Sequence, residues 1–426
     1  MKYFEKLLDQ FPDTPRNIIV HADVLRRGVK TSDDLQNAGA EACITGLTNK
    51  LMEAAFDKPP IPSQFHFKAD ETTVDIKIDD RSPYEIKKDE EGKYRLFCGE
   101  HDLGVVWFTK RPSYIDKQTS NGKDVSSMIM QRGPFCILVS PLDFCAYLRK
   151  GEACKYCLLS MAMEVGIQKK LTEAIPDFDV LAEAVDIACE DVNLKDLKIC
   201  GGALYNTRKE ASYYKKCIEA ILNRIDMPEE LTVFSQAFEK EDQEDFKGLG
   251  VQNVLFNLEV WNENLWPELL PGKTKAIGRE EWIKRLDDAV DIFGRGHVGS
   301  SFVGGFECAP RPGFLTPDEA LKSYIEAFEF LIKRGVVPWF TVWTASPLVG
   351  GFSEDDPPPT EFYLKLGVAV HELLEKYGVY PDLGFPKMGV NPPTLGLYCY
   401  YCYSMQFTRD YPRLVGREYS EPLTTV

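Results

Sequence analysis

Three cysteines stand within thirteen residues and could bind one metal centre. Cys145, Cys154 and Cys157 belong to the segment Cys-Ala-Tyr-Leu-Arg-Lys-Gly-Glu-Ala-Cys-Lys-Tyr-Cys. Thiolates are the usual protein ligands of iron–sulfur clusters. Three thiolates on a four-iron cluster leave one iron open, as a substrate-activating cluster requires. The segment therefore predicts a redox-active [4Fe–4S] cluster.

Two other interpretations of this segment stay open. A structural zinc ion would need a distant fourth ligand, because zinc sites of this type have four and no other Cys or His is near in sequence. The three thiols could also pack in a core without any metal. The five histidines stand at positions 21, 66, 101, 297 and 371.

The other nine cysteines fall into two groups. Three stand in Gly-, Pro- or Tyr-rich stretches: Cys308, and the pair Cys399 and Cys402. They could hold an auxiliary cluster, form a redox pair or donate hydrogen to a substrate, and packing among tyrosines is the plain alternative. Six more are predicted to be inert core thiols, because free Cys packs as a small hydrophobe: Cys43, Cys98, Cys136, Cys189, Cys200 and Cys217.

Composition and charge narrow the classes of partner. The 50 basic and 66 acidic side chains give a net charge of −16, which disfavours binding to a phosphate backbone. No apolar run approaches the roughly 20 residues that span a bilayer. The N-terminus carries acids and no apolar signal segment. We therefore expect a cytoplasmic protein that binds neither nucleic acid nor membrane.

From residue 135 onward, buried strands alternate with amphipathic helices six times. Such repeats require a parallel sheet with helices outside it, and their length suits a complete or partial (β/α) barrel. An open doubly wound sheet is the alternative. We predict strands over 135–139, 194–200, 231–235, 251–258, 298–303 and 336–342, and helices over 179–191, 209–224, 242–247, 279–293, from 316 onward and over 360–376.

Two further units flank the repeats. Residues 1–130 begin helical, contain a short strand-rich piece, and predict an accessory α+β unit. Residues 131–380 form the predicted barrel. Residues 381–426 are irregular and proline-marked, and predict a C-terminal extension that carries the Cys-x-x-Cys pair. Barrel sites lie at the carboxyl ends of strands, where the cysteine segment and two Gly-Gly pairs fall.

The cysteine segment resembles the signature of the radical SAM superfamily, whose barrel binds a [4Fe–4S] cluster and S-adenosylmethionine. Cys154-Lys155-Tyr156-Cys157 fits the second half of that signature, and the resemblance implies that Tyr156 lies against the adenine. The first half departs from it, because eight residues separate Cys145 from Cys154 where three are usual. The barrel is most similar to the biotin synthase and hydrogenase-cofactor-maturation type.

The resemblance also implies further cofactor contacts. Gly201 and Gly202 would bind the amino group of S-adenosylmethionine through the backbone, although Ala203 replaces the usual acid. Asn257 and Glu259 would hold the ribose hydroxyls. Two more residues complete the implied set, with solvated or core positions as the plain alternatives: Arg285 would bind the carboxylate and Trp343 would border the adenosine.

Together these features predict an oxygen-sensitive enzyme that reductively cleaves S-adenosylmethionine and abstracts hydrogen from a small molecule or peptide. An electron donor such as ferredoxin or flavodoxin would be its partner. The alternative is a non-catalytic, metal-stapled barrel that acts as a scaffold. The chain contains no Asp-x-His-x-x-Gly, which disfavours a cobalamin-dependent enzyme.

Overall fold

The computed structural model describes residues 2–42, 61–69, 72–132 and 135–379. Three helices and five strands precede the repeats, and we call them the N-terminal unit. Ser32 caps one of its helices by accepting a hydrogen bond from the Leu35 amide. Its helices are α1 (Lys2–Gln10), α2 (Arg16–Arg27) and α3 (Asp33–Glu41), and its strands are β1 (Gln64–Phe67), β2 (Thr73–Asp75), β3 (Tyr84–Lys88), β4 (Tyr94–Cys98) and β5 (His101–Trp107).

These five strands pair antiparallel in the order β2-β1-β5-β4-β3. A second sheet carries the repeats. Its strands are β6 (Ile129–Arg132), β7 (Cys136–Val139), β8 (Asp196–Cys200), β9 (Glu230–Ser235), β10 (Asn253–Phe256), β11 (Val298–Gly304) and β12 (Val336–Val342).

The second sheet follows the order of the chain, β12-β11-β10-β9-β8-β7-β6. Strands β7 to β12 are all parallel, and β6 pairs antiparallel with β7. A doubly wound sheet reverses its strand order at a switch point. The unbroken order is therefore that of a TIM-like barrel and excludes the doubly wound alternative. Within the described residues β6 and β12 do not pair, so the barrel is open there.

Helices connect the parallel strands and bury their apolar faces against the sheet. Thr316 and Glu319 form a capping box at the start of one of them. The helices are α4 (Ala146–Arg149), α5 (Leu158–Gln168), α6 (Phe178–Cys189), α7 (Thr207–Leu222), α8 (Lys240–Gly248), α9 (Trp266–Leu269), α10 (Pro271–Ala276), α11 (Arg279–Phe293), α12 (Pro317–Lys333) and α13 (Thr360–Lys376). All six predicted strand–helix repeats are confirmed.

The N-terminal unit contacts both open edges of this barrel. At the β6 edge, Arg132 forms a buried ion pair with Asp75 of β2 at 3.4 Å. At the β12 side, the Asp23 carboxylate of α2 accepts a hydrogen bond of 2.5 Å from Thr360 Oγ1. Burial raises the pKa of Asp23, which its hydrogen bonds and Arg27 only partly offset. The unit therefore spans the gap between the first and last strands.

The predicted boundary at residue 130 falls inside β6, which belongs to the barrel sheet. No described helix is both long and apolar enough to cross a membrane. The predicted extension over 381–426 lies outside the described residues.

Candidate functional site

The three cysteines lie on the loop between β7 and α5, at the edge where all six parallel strands end. We call residues 140–157 the cysteine loop and this edge the carboxyl edge. Backbone hydrogen bonds tie the loop to the end of β8: the Gly202 amide donates to Leu142 O at 2.8 Å, and the Ala146 amide to Ala203 O at 2.8 Å. A Cβ on Gly202 would stand 1.8 Å from the Phe144 oxygen. The Gly-Gly pair therefore holds the cysteine loop by close backbone contact.

The eight residues between the first two cysteines fold back on themselves. They contain α4 and a turn closed by a 2.7 Å bond from the Glu152 amide to Tyr147 O. The Tyr147 side chain is buried and lies directly on Gly272 of α10, and its hydroxyl donates to Gln236 at the end of β9. Glu152 pairs with Lys275 of α10. The eight residues between Cys145 and Cys154 thus form a folded segment that packs against α10 and the end of β9.

All three thiols are free and close enough to influence one another electrostatically. Burial raises the pKa of the Cys154 thiol, and Cys157 and Cys145 raise it further. Burial raises the pKa of Cys157 also, with Cys145 again contributing. Among the described residues, no three Cys, His, Asp or Glu side chains are close enough to bind a single metal ion. Thiolates are the donors that iron–sulfur clusters take, so by their chemistry these three residues could hold a cluster.

A chain of polar contacts runs from the cysteine loop to the end of β10. The Tyr156 hydroxyl lies close to the Glu259 carboxylate, and burial together with this acid raises the pKa of the tyrosine. Glu259 Oε1 in turn accepts a 2.8 Å bond from Lys273 Nζ of α10. The ammonium also donates to Asn257 O at 2.8 Å and lies 4.6 Å from the centre of the Trp282 ring.

Glu259 has an unusual backbone, with φ of 68°. A non-glycine residue in the left-handed region is uncommon, and such strain often marks functional positions. Its amide and carbonyl are both held by β11, through Ser301 O and the Val303 amide at 2.9 Å each. The Asn257 side chain accepts a bond of 3.0 Å from the Ser301 amide. Asn257 therefore fixes the β10 end, while Glu259 turns toward Tyr156.

Arg285 and Lys273 occupy different surroundings. The Arg285 guanidinium contacts Glu281 of its own helix at 2.9 Å and Ala237 O at 2.9 Å, and none of its contacts is with the cysteine loop. Lys273, in the stretch Pro271-Gly272-Lys273, lowers the pKa of Cys154 against the larger effect of burial. Lys273 is thus a buried cation beside the thiols, a role that the sequence had not predicted for it.

Aromatic rings line the carboxyl edge on the side of the last two strands. Trp343, directly after β12, packs against Phe306 with ring centres 5.1 Å apart, and Phe306 packs against Tyr156 at 5.8 Å. Phe352 closes the group, 5.2 Å from Trp343. The indole Nε1 of Trp343 is buried and has no hydrogen-bond partner in the described part of the chain. A buried donor of this kind can bind a ligand.

Cys308 lies apart from the three cysteines, in a turn after β11, where its thiol donates to Gly305 O at 3.2 Å. Burial, with Glu307 adding to it, raises its pKa to about 12. It contacts no thiol of the cysteine loop. The other two candidates for an auxiliary centre, Cys399 and Cys402, lie outside the described residues, as does Cys43.

A buried acid network beneath the cysteine loop was not anticipated. Glu210 of α7 is fully buried and accepts bonds of 2.6 Å from the Leu204 amide and from Gln236 Nε2. Burial raises its pKa to about 8, although these bonds oppose the shift. Gln236 also receives the Tyr147 hydroxyl, so the network reaches the loop. The sequence of α7 contains both polar and apolar residues, and nothing in it distinguishes Glu210 as a buried acid.

Comparison with known proteins finds a curated sequence relative and several solved structures of similar fold. The chain is 24% identical over 302 residues to the bacteriochlorophyllide c C-7(1)-hydroxylase of Chlorobaculum limnaeum, covering 68% of this chain and 72% of that protein. No protein-family model matches the chain.

The FeFe-hydrogenase maturase HydG from Carboxydothermus hydrogenoformans gives a TM-score of 0.42 at 16% identity, over 57% of this chain and 52% of that one. A second HydG structure gives 0.42 at 13%, over 57% and 50%. The match thus spans about half the length of these maturases. The chain is therefore similar in sequence to this hydroxylase over about two thirds of its length, and its cysteine loop after the first parallel strand resembles the radical SAM signature.

Proposed function

We propose that this protein cleaves S-adenosylmethionine reductively at a [4Fe–4S] cluster held by Cys145, Cys154 and Cys157, and abstracts hydrogen from its substrate. When bound, the cluster and S-adenosylmethionine supply an electron and a 5′-deoxyadenosyl radical. The observation that carries the proposal is the convergence of three mutually interacting thiols at the carboxyl edge. Barrel enzymes place their chemistry at this edge.

The other side chains would position the cofactor and exclude water. Tyr156 and Trp343, joined through Phe306, form a ring-lined wall suited to the adenine. The carboxylate of Glu259 would bind the ribose, with Asn257 holding the strand end that carries it. Gly201 and Gly202 would keep the backbone close to the amino group. A cofactor surrounded in this way is shielded from solvent, which protects a radical from side reactions.

Arg285 is a weaker candidate for the cofactor carboxylate. Its contacts are with Glu281, Glu239 and a backbone oxygen, so it would have to leave them first.

The substrate proposed is a small molecule or peptide from which a C–H hydrogen is abstracted. The relative's name describes a hydroxylation of a small molecule, a reaction in which a C–H bond is broken. A ferredoxin or flavodoxin would deliver the electron. An auxiliary cluster on Cys308 would need Cys399 and Cys402, which lie outside the described residues, so it stays a prediction.

Anaerobic reconstitution with iron and sulfide tests the proposal directly. We expect a brown protein with about four irons per chain, which forms 5′-deoxyadenosine when dithionite and S-adenosylmethionine are added. Cys157→Ala should lose both the iron and the product. The matched control is Cys189→Ala, a thiol at the end of α6 outside the cysteine loop, which should keep both.

A colourless protein with one tightly bound zinc would instead establish the metal-stapled scaffold. A cluster-loaded protein that forms no 5′-deoxyadenosine with any reductant would also contradict the proposal.

A further inference from the structure

A lysine and a glutamate form a buried ion pair at the carboxyl edge. Lys273 and Glu259 are 8% and 7% exposed, and their charged atoms are 2.8 Å apart. Burying such a pair costs solvation energy that the attraction between the charges does not always repay. The position of this ion pair at the carboxyl edge therefore indicates a role other than stabilising the fold.

The pair is fixed against the cysteine loop by contacts on both sides. On the lysine side, the Gly272 amide donates to Glu152 O at 3.0 Å, and the Lys155 amide donates to Leu269 O at 2.9 Å. On the glutamate side, both backbone groups of Glu259 are bonded to β11 at 2.9 Å, and its carboxylate lies close to the Tyr156 hydroxyl between the second and third cysteines. These contacts hold both charges beside the loop.

Both charges lie beside the thiols of the cysteine loop. Lys273 follows Gly272, whose amide is bonded to Glu152 two residues before Cys154. In keeping with this position, the ammonium lowers the pKa of Cys154, and the Glu259 carboxylate raises the pKa of both Cys154 and Cys157.

We propose that Lys273 and Glu259 set the reduction potential of the cluster, with the lysine favouring its reduced form and the glutamate opposing it. This inference rests on the proposed function, because it requires a cluster on the three cysteines. The potentials of iron–sulfur clusters depend on nearby charge and solvent exposure. A reduced cluster carries one more negative charge than an oxidised one, so a cation in a poorly solvated site stabilises it.

The test measures the midpoint potential of the reconstituted full-length protein in a reductive titration without S-adenosylmethionine. Electron paramagnetic resonance monitors the reduced cluster during this titration. Lys273→Met should shift the potential to more negative values, and Glu259→Gln should shift it to more positive values. The double variant should lie between the two single variants, because both charges are gone. Omitting the cofactor separates this effect from any role of Glu259 in binding it.

Three further variants sharpen the experiment. Lys273→Arg keeps the charge and should leave the potential near that of the wild type. Lys284→Gln removes a cation that is exposed on α11 and paired with Glu281, and should also leave it unchanged. If Lys273→Met does not fold or take up iron, two other potentials decide the inference. Glu259→Gln should have a more positive potential than the wild type, and the double variant should have a more negative potential than Glu259→Gln.

Equal potentials in the wild type and both charge variants, or shifts of the same sign in the two, would overturn the inference while leaving the cluster in place. A wild type that takes up no iron–sulfur cluster would overturn the proposed function itself. The two failures are therefore distinguishable.

Discussion

The barrel contains two buried lysine–carboxylate pairs in contrasting places. Lys198 and Asp196 lie two residues apart on β8, both 1% exposed in the side chain, with charged atoms 3.0 Å apart. Lys273 and Glu259 join α10 to the left-handed end of β10, beside the thiols. The first pair belongs to regular backbone in mid-sheet, and the second to irregular backbone at the carboxyl edge.

The difference shows that a buried ion pair does not by itself identify a functional site. Alternate residues of a strand face one side, so Lys198 shares its side with Phe234 of the neighbouring strand, 5.3 Å from the ring centre. Burial lowers the pKa of Lys198, but Asp196, Cys136 and Glu230 outweigh it, and the pKa is raised. These neighbours keep the lysine charged within the sheet. The β8 pair therefore serves the fold.

The largest effect is expected at the β8 pair. Lys198→Met leaves Asp196 and Glu230 buried without their cation, which should lower the free energy of unfolding by roughly 3–5 kcal/mol. Chemical denaturation measures this loss. The matched variant that also replaces Asp196 with Leu should recover most of it, because no unpaired charge remains at that position. A loss below about 1 kcal/mol in the single variant would contradict a structural role.

The acid beneath the cysteine loop should make stability depend on pH. The folded protein keeps a proton on Glu210 up to about pH 8, whereas the unfolded chain loses it near the ordinary value of 4.5. Between these values the unfolded state binds fewer protons, so the free energy of unfolding falls as pH rises. Glu210→Gln should be relatively more stable than the wild type at pH 8 than at pH 5. If the difference in free energy of unfolding between the variant and the wild type were the same at both pH values, this prediction would be wrong.

A glycine pair allows the support of the cysteine loop to be tested. Gly202→Ala places a methyl against the Phe144 oxygen, so the loop must shift, and we expect a cost of about 1–3 kcal/mol together with reduced iron content. Gly248→Ala is the control, because its Cβ would meet nothing within 4 Å at the end of α8. The control should gain stability by a few tenths up to about 1 kcal/mol. Equal behaviour of the two variants would show that the loop does not depend on Gly202.

The smallest effect on stability is expected at the aromatic wall. Trp343→Phe removes an indole N–H that has no described partner, so it should cost less than Trp266→Phe, whose N–H donates to Val260 O at 2.7 Å. Losing that bond leaves a buried acceptor unpaired, at about 1–3 kcal/mol. If Trp343 binds the cofactor, its variant should still weaken S-adenosylmethionine binding severalfold in equilibrium dialysis. Unchanged binding would make Trp343 a packing residue.

The architecture was largely predictable from local patterns. Most barrel strands are short, largely apolar runs and the longer helices have an amphipathic period, and the helix predicted from residue 316 onward begins at Pro317. The cysteines were identified by residue type and spacing. These patterns are local in sequence, and the sixfold repetition of strand and helix predicts the barrel.

The remaining features depend on contacts between distant segments. Lys273 and Arg285 are both cations near one another in sequence, and only the packing of α10 on Tyr147 shows which one meets the thiols. The left-handed conformation of Glu259 is imposed by β11 and leaves no mark on residue type. The buried state of Glu210 likewise arises from the meeting of α7 with the end of β9.

The anchoring of the cysteine loop also explains how an unusual motif length is tolerated. Ala146 is fixed to the end of β8, and Lys155 to the end of α9, so the positions of the flanking cysteines are set by these attachments. The residues between them add a turn of helix without moving either end. Searches that demand a fixed interval between the first and second ligands would overlook proteins built in this way. A better criterion is whether the residues between the first and second ligands can pack against neighbouring elements of the fold.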